Sequence, residues 1–322
     1  MKITVVGAGN VGATCANVLA HKDIVKEIVL LDIKENFAKG KALDIWQTAP
    51  VIGYDTRIDG VTNDYSKTSG SEVVVITSGL PRKPGMSRDD LISANAKIVK
   101  SVTEQMIRYS PEAKFIIVSN PLDVMTYVAY LTAQVDASRI FGMAGILDTA
   151  RYRAFLAAEL NCSPQDIQAL LIGGHGDTMV PLPRYTTVAG IPVTELIAPE
   201  KLKTIIEYTK KGGGEIVNLL GTSAWYAPGA SSAQMVEAII KDSKRIFPCC
   251  VWLQGQYGVK DIYMSVPVVL GHKGIDKIIE LKLNKTEMQL LKTSAIHIKE
   301  MMAILDGMHL FNPQPPRNYD NS

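Results

Sequence analysis

The sequence has 322 residues, of which 47% are hydrophobic and 20% are charged, and its formal net charge at pH 7 is +2. This length allows two domains, or one large α/β domain, with a sizeable hydrophobic core. Charges of both signs are interspersed, which argues against a nucleic-acid or membrane-surface protein. The sequence has no apolar stretch of the roughly 18 residues that span a bilayer and no targeting segment at its start, so we expect a cytoplasmic protein.

The cysteines indicate neither a metal site nor a disulfide framework. The four, Cys15, Cys162, Cys249 and Cys250, form no CxxC pair and have no histidine at ligand spacing. Few, irregularly placed cysteines are typical of a reducing compartment. We therefore expect no metal, and we interpret Cys249 and Cys250 as small, buried apolar residues.

The first half of the chain alternates short apolar runs with longer helical patterns. The apolar runs, nearly continuous as in strands buried on both faces of a parallel sheet, are Ile3–Val6, Ile28–Leu31, Val73–Thr77 and Phe115–Ser119. The helical patterns between them cover Gly12–Ala20, Lys34–Ala49 and Asp90–Arg108. This α/β alternation predicts a Rossmann-type, doubly wound parallel sheet over residues 1–145.

The second half, residues 146–310, follows an α+β pattern. Helices are predicted at Thr149–Leu160, Glu200–Leu220, Ser231–Lys244 and Lys285–Leu305. Strands are predicted at Met179–Thr187, Ile191–Thr194 and Asp261–Leu270. We expect this half to be a substrate-binding catalytic domain, followed by a loose Pro/Asn-rich tail over residues 311–322.

A glycine-rich segment joins the first strand to the first helix. In GAGNVG the first glycine permits a tight turn, the second lets a pyrophosphate approach the main chain, and the third lets the helix pack closely on the strand. Asp32 ends the next strand, 20 residues beyond Gly12, where an acid binds the ribose 2′-hydroxyl and repels a 2′-phosphate. The alternative is a structural turn followed by a surface aspartate. The pattern predicts NAD, bound by Gly7, Ala8, Gly9, Asn10, Val11, Gly12 and Asp32.

A loop rich in glycine and proline follows the third apolar run and carries Arg82, Lys83 and Arg88. Loops at the carboxyl end of a parallel sheet face the expected ligand crevice. Arg82 and Arg88, six residues apart, could clamp an anion. For the loop alone, a solvated basic surface is the more ordinary interpretation.

Three further side chains are candidates for chemistry. Asp148 and Arg151 lie at i, i+3 near the start of a helix, where they share a face, although an intrahelical ion pair is the simpler interpretation. His175 lies among glycines in GGHGD, and a histidine there suits acid/base chemistry, with an exposed loop tip as the alternative. Asn120 directly follows the fourth apolar run, where it could form hydrogen bonds within the crevice or be only a turn residue.

Six motifs together carry a resemblance to a known family. In chain order they are GAGNVG, LLD, GLPRKPGMSRDDL, VSNPLD, LDTAR and GGHGD. They closely resemble the lactate/malate dehydrogenase family over residues 1–305, nearly the whole chain. The basic loop and GGHGD look closest to the prokaryotic malate dehydrogenases that are similar to lactate dehydrogenase.

The resemblance implies hydride transfer between NAD and a 2-hydroxy acid. In that mechanism His175 is the general acid/base, and Asp148 holds its ring and stabilises the cation. Arg151 binds the carboxylate beside the reacting carbon, and Arg88 polarises the carbonyl group. Asn120 helps to position the substrate.

Arg82 stands where the family meets the substituent beyond the reacting carbon. Lactate dehydrogenases usually carry glutamine at this position, whereas an arginine pairs with a second carboxylate. The resemblance therefore implies malate and oxaloacetate as substrates, with L-lactate as the alternative.

Family patterns also imply contacts and assembly. The further NAD contacts expected are Asn95, Val118, Ser119 and Asn120. Ser223 or Ala224 is expected in the wall of the substrate pocket. We expect a homo-oligomer, with a tetramer favoured over a dimer.

Two other classes of protein share a related nucleotide fold. Metal-assisted, NAD-using glycoside hydrolases need a metal site built around Cys and His, which the sequence does not show near these motifs. A non-catalytic NAD-binding protein would be expected to have lost at least one of His175, Asp148, Arg88 and Arg151, and all four are present.

Overall fold

The structure is a computed structural model, and it describes residues 1–81 and 87–311. The strands within these residues are, in chain order, β1 (Lys2–Val6), β2 (Glu27–Asp32), β3 (Arg57–Thr62), β4 (Val73–Ile76), β5 (Lys114–Ile117), β6 (Ile140–Gly142), β7 (Ile167–Gln168), β8 (Leu171–Ile172), β9 (Val180–Pro181), β10 (Thr187–Val188), β11 (Ile191–Pro192), β12 (Arg245–Gln254), β13 (Lys260–Gly271) and β14 (Gly274–Ile278). Nine of them form one sheet in the order β14-β13-β12-β6-β5-β4-β1-β2-β3, and β7 to β11 form two small antiparallel sheets.

The helices pack against this sheet and around the small ones. They are α1 (Asn10–Lys22), α2 (Phe37–Gln47), α3 (Ala49–Ile52), α4 (Arg88–Tyr109), α5 (Leu122–Ala133), α6 (Gly145–Leu160), α7 (Val193–Leu196), α8 (Pro199–Leu220), α9 (Tyr226–Ile240) and α10 (Lys285–Asp306). Capping boxes begin α4, through Ser87 and Asp90, and α10, through Asn284 and Glu287, satisfying main-chain donors that the first turn leaves unpaired. In the described parts of the chain, none of the helices has both the length and the apolar character that crossing a bilayer requires.

Strands β1 to β6 are parallel, and β1 pairs with both β2 and β4. The strand order therefore reverses between β1 and β4, which makes a crevice at the carboxyl ends of these strands. The side chains of Val73–Ile76 are fully buried, as expected of a strand covered by helices on both faces. The predicted Rossmann-type fold is confirmed, and its switch point places the ligand crevice beside the turn that follows β1.

Two strands of this parallel set were not predicted. Strand β3 has the sequence RIDGVT, which is mostly half-exposed and polar, and β6 is three residues long. The helix predicted at Lys34–Ala49 is shorter in the structure, where α2 covers only Phe37–Gln47 and the separate short helix α3 follows.

The second half departs further from the predictions. The predicted strand Met179–Thr187 is wrong, because β9 is followed by a 3₁₀ turn at Pro183–Tyr185, where two prolines interrupt pairing. Strand Ile191–Thr194 is also wrong beyond Pro192, where α7 begins. Predicted helix Ser231–Lys244 begins earlier, at Tyr226, and ends at Ile240.

Antiparallel strands from the second half extend the parallel sheet. Strand β12 pairs with β13 along its length and contacts β6 through Cys250 and Gly142. Cys249 and Cys250 are both buried in β12, as predicted for small apolar residues. The division at residue 145 stays a prediction, since strands from both sides of it share one sheet. Of the predicted tail, residues 312–322 lie outside the described residues.

Candidate active site

The glycine turn after β1 is shaped by contacts that only glycine permits. Gly7 has φ +103°, and a Cβ on Gly12 would lie 1.8 Å from the Gly7 carbonyl oxygen. Apart from its two chain neighbours, no atom of the described residues lies within 4 Å of the position that a Cβ on Gly9 would take. Helix α1 begins at Asn10, so the main-chain N–H groups of Val11 and Gly12 lie in its first turn. The turn is therefore packed on the strand side and open above Gly9, which fits a pyrophosphate.

Asp32, at the end of β2, is tied to the same turn. Its Oδ2 accepts a hydrogen bond of 2.7 Å from the Ala8 N–H, and its Oδ1 accepts one of 2.9 Å from the Lys34 N–H. These bonds fix the carboxylate at the edge of the crevice, where the sequence pattern predicts that Asp32 binds the ribose of NAD.

Asn95, on α4, joins two segments that follow neighbouring strands. Its side chain accepts a hydrogen bond from the Leu80 N–H (2.7 Å) and donates to the Asn120 carbonyl oxygen (2.7 Å). Asn95 is buried, and its amide is engaged by the main chain of both segments. Among the other predicted NAD contacts, Ser119 is buried and donates to the Ser78 carbonyl oxygen, and Val118 is half-buried. The predicted contact of Asn95 with NAD stays a prediction.

His175 is presented by a short loop after β8. Gly173, with φ +92°, exchanges main-chain hydrogen bonds with Ser265 of β13 (2.8 and 3.2 Å). The Gly174 N–H donates to Ser294 Oγ on α10 at 2.7 Å. Because a φ of +92° is unfavourable for other residues, the loop needs a glycine at this position. Two elements distant in sequence thus hold the loop in place.

The His175 ring forms a charge-paired cluster with α6. His175 Nδ1 lies 2.9 Å from Asp148 Oδ2, and Asp148 Oδ1 lies 3.4 Å from Arg151 Nη1. Asp148 is 2% exposed, and Arg151 Nε is buried without a hydrogen-bond partner among the described residues. Burial lowers the pKa of His175, but the charge and hydrogen bond of Asp148 outweigh it, so the pKa is raised above its ordinary value. The Arg151 Nε–H could therefore donate a hydrogen bond to the carboxylate of a bound ligand.

A second buried carboxylate holds the main chain of the same histidine. Asp123, in the first turn of α5, accepts from the His175 N–H at 3.1 Å and from the Cys250 thiol at 3.2 Å. Burial raises the pKa of Asp123, although both hydrogen bonds lower it. No role was predicted for this residue from the sequence, although it lies in the VSNPLD motif. Its signal was weak, because an acid in the first turn of a helix is common.

A cavity of about 250 Å³ opens beside the His175 ring. Its lining includes His175, Asn120 and Arg88, three of the predicted residues, together with Asp123 and His297. Arg88 is exposed and is the first residue of α4, so it heads a helix instead of lying within the loop. Its Nη1 lies 3.1 Å from His297 Nε2 on α10.

Not every predicted residue joins this group. Arg82 lies outside the described residues. Ser223 and Ala224 lie in the segment between α8 and α9, and within the described chain neither lines the cavity. Asp148 contacts His175 at its Nδ1, and Arg151 pairs with the other carboxylate oxygen of Asp148.

Comparison with known proteins tests what this geometry suggests. The sequence model for the NAD-binding domain of lactate/malate dehydrogenase matches residues 1–142, and that for the α/β C-terminal domain matches residues 146–306. The chain belongs to the lactate/malate dehydrogenase family. Since the N-terminal match is to that family's NAD-binding domain, NAD is its cofactor, as predicted.

Individual relatives match along nearly the whole chain. The malate dehydrogenase of Cytophaga hutchinsonii is 67% identical over 308 residues, covering 96% of this chain and 99% of the relative. The solved malate dehydrogenase of Salinibacter ruber has a TM-score of 0.92 at 53% identity, covering 96% of this chain and 98% of that one. The lactate dehydrogenase of Cryptosporidium parvum, solved with lactic acid and β-nicotinamide adenine dinucleotide, has a TM-score of 0.91 at 37% identity, with coverage of 95% and 98%.

Proposed function

We propose that the chain catalyses the reversible, NAD-dependent oxidation of (S)-malate to oxaloacetate. The observation that carries this is the buried Asp148 carboxylate 2.9 Å from His175, with Arg151 beside it. A 2-hydroxy acid needs a base for its hydroxyl proton and a cation for its carboxylate, and this cluster offers both. NAD supplies the hydride acceptor.

His175 moves the proton. Asp148 accepts from Nδ1, which leaves Nε2 as the nitrogen that takes the substrate's hydroxyl proton or returns it to the carbonyl oxygen. The raised pKa of His175 favours the protonated ring, which is the form that reduction needs. In the oxidative direction the neutral ring is the active form.

The candidate arginines Arg151 and Arg88 have separate tasks. Arg151, whose buried Nε has no hydrogen-bond partner in the described chain, binds the carboxylate next to the reacting carbon. Arg88, at the cavity with His175 and Asn120, polarises the carbonyl and stabilises the negative charge that develops on its oxygen.

Arg82 is proposed to bind the second carboxylate of malate. Support comes from the family pattern, in which lactate dehydrogenases usually carry glutamine there, and from the malate dehydrogenase names of the relatives from C. hutchinsonii and S. ruber. L-lactate is the second candidate, because the C. parvum lactate dehydrogenase shares the fold.

The test follows NADH absorbance with oxaloacetate and with pyruvate. Wild type is expected to prefer oxaloacetate by at least about 100-fold in kcat/KM, because pyruvate leaves the Arg82 charge unpaired. Arg82→Gln should lose most of that preference, while Lys83→Gln is the matched control that should keep it. Equal use of pyruvate by wild type would defeat the malate assignment and leave only a broader 2-hydroxy-acid dehydrogenase.

We also propose a homotetramer located in the cytoplasm, where malate oxidation serves the tricarboxylic acid cycle. Large apolar side chains stay exposed along α2 and α3, with Trp46 40% and Val51 84% accessible, which favours burial against another subunit. All four cysteines are free, as suits a reducing compartment. Sedimentation velocity should give the mass of four chains; a monomer would refute assembly.

A further inference from the structure

The hydrogen bond between Arg88 and His297 links the cavity to the C-terminal helix. Arg88 begins α4 and His297 lies in the middle of α10, 209 positions apart in sequence, and both line the cavity with His175. Just beyond the end of α10, Met308 Sδ lies 3.6 Å from Ser93 Oγ of α4. Helix α10 supports the His175 loop through Ser294 as well. One helix therefore contacts both the loop of the general acid/base and the guanidinium of Arg88.

The chemistry of the two side chains determines which ring nitrogen of His297 accepts the hydrogen bond. Arginine has only donors, so Nε2 of His297, 3.1 Å from Arg88 Nη1, must be the acceptor. In this contact the ring N–H is therefore the one on Nδ1. That nitrogen lies 3.7 Å from Glu300 Oε2, one helical turn further along α10. The carboxylate favours this tautomer by attracting the Nδ1–H.

Arg88 needs such a partner because its place in the helix does not hold it. A cation at the first position of a helix meets the positive end of the helix dipole. Asp90, in the same turn, uses its Oδ2 in the capping box with Ser87. An exposed arginine side chain also samples many rotamers, so a fixed acceptor selects among them.

We propose that His297 is a positioning residue for Arg88, which it orients toward the cavity by accepting one of its N–H groups. This rests on the role proposed above for Arg88. The contact leaves the other guanidinium N–H groups for the substrate's carbonyl oxygen. Since that interaction strengthens in the transition state, loss of His297 lowers kcat for oxaloacetate and leaves NADH binding unchanged.

The experiment compares His297→Ala, His297→Gln and Arg88→Ala in the full-length enzyme. His297→Ala should lower kcat for oxaloacetate by about three- to tenfold, the usual range for one partly exposed hydrogen bond to a charged group. His297→Gln should recover most of the loss, because its amide oxygen can accept from Arg88. His272→Ala, at an exposed histidine far along the chain, is the control and should behave as wild type.

Coupling to Arg88 separates positioning from a structural effect. In the Arg88→Ala background, His297→Ala should cause no further loss of kcat. An equal loss in both backgrounds, unchanged kcat in His297→Ala, or a gain in kcat would each overturn the proposal. The gain would mean that the contact holds Arg88 away from the substrate. If Arg88→Ala keeps wild-type kcat, the proposed function of Arg88 fails first, and this inference fails with it.

Discussion

The nucleotide turn and the His175 cluster sit in one fold but are built in different ways. The turn uses main-chain N–H groups, glycines and one carboxylate, all within residues 7–34. The cluster uses charged side chains from α4, α5, α6 and the loop after β8, with support from β12, β13 and α10. The first depends on main-chain geometry, and the second depends on charged side chains arranged around the buried carboxylates of Asp148 and Asp123.

This difference predicts different sensitivities. A main-chain site tolerates changes in side chains but not in glycine, because a Cβ on Gly12 would meet a carbonyl oxygen at 1.8 Å. A side-chain site fails when one charge is removed, because its partners are then left buried and unpaired. A substitution in one region should therefore change the measurement that reports on that region and leave the other unchanged.

The largest effect is expected for His175→Ala. Removing the group that moves the proton should lower kcat by about 10³-fold or more in both directions. Binding of NADH, measured by fluorescence titration, should change by less than about threefold, because the glycine turn is untouched. A variant that kept a tenth of wild-type kcat would show that another group moves the proton.

A smaller effect, with a change in pH dependence, is expected for Asp148→Asn. Without the charge of Asp148, burial and Arg151, which both lower the pKa of His175, would outweigh Asp123, which raises it. The pKa should fall, so reduction of oxaloacetate, which needs the protonated ring, should be lost at lower pH than in wild type. Malate oxidation should persist to lower pH, and kcat should fall by about 10²-fold or more from poorer ring orientation.

Profiles of kcat/KM against pH in both directions, for wild type and the variant, check this. A profile that stays in place or moves to higher pH would contradict the proposed pairing. His272→Ala again serves as a matched control, since its ring is exposed.

The nucleotide turn and the His175 cluster also differ in how much of each could be predicted from the sequence. The glycine turn and Asp32 were predictable because their spacing is local, and strands β1, β2, β4 and β5 because buried parallel strands form continuous apolar runs. Strand β3 was missed because its RIDGVT sequence is polar and half-exposed. The prolines at Pro181 and Pro183 explain the failed strand after residue 179.

The contacts within the His175 cluster were harder to predict. His175, Asp148 and Arg151 could be proposed as candidates from motifs, but their distances could not. Asp123 of α5 accepts a hydrogen bond from Cys250 of β12, which is 127 positions away in sequence. No local sequence pattern predicts this contact between a thiol and a carboxylate. Such pairs are set by the packing of distant elements.

The smallest effect is expected at the nucleotide turn, from Asp32→Asn. The amide oxygen of asparagine can still accept from the Ala8 N–H, so the glycine turn should keep its shape, whereas the bond from the Lys34 N–H is lost because the amide NH₂ cannot accept. The charge that repels a 2′-phosphate is lost as well, and the preference for NAD over NADP should fall by about tenfold. The pH profile for oxaloacetate should stay in place, because Asp32 is not among the groups that shift the pKa of His175. Steady-state kinetics with NADH and NADPH measure the preference. An unchanged preference would mean that main-chain shape, and not the Asp32 charge, selects the cofactor, whereas a shifted pH profile would mean that the two regions are electrostatically coupled.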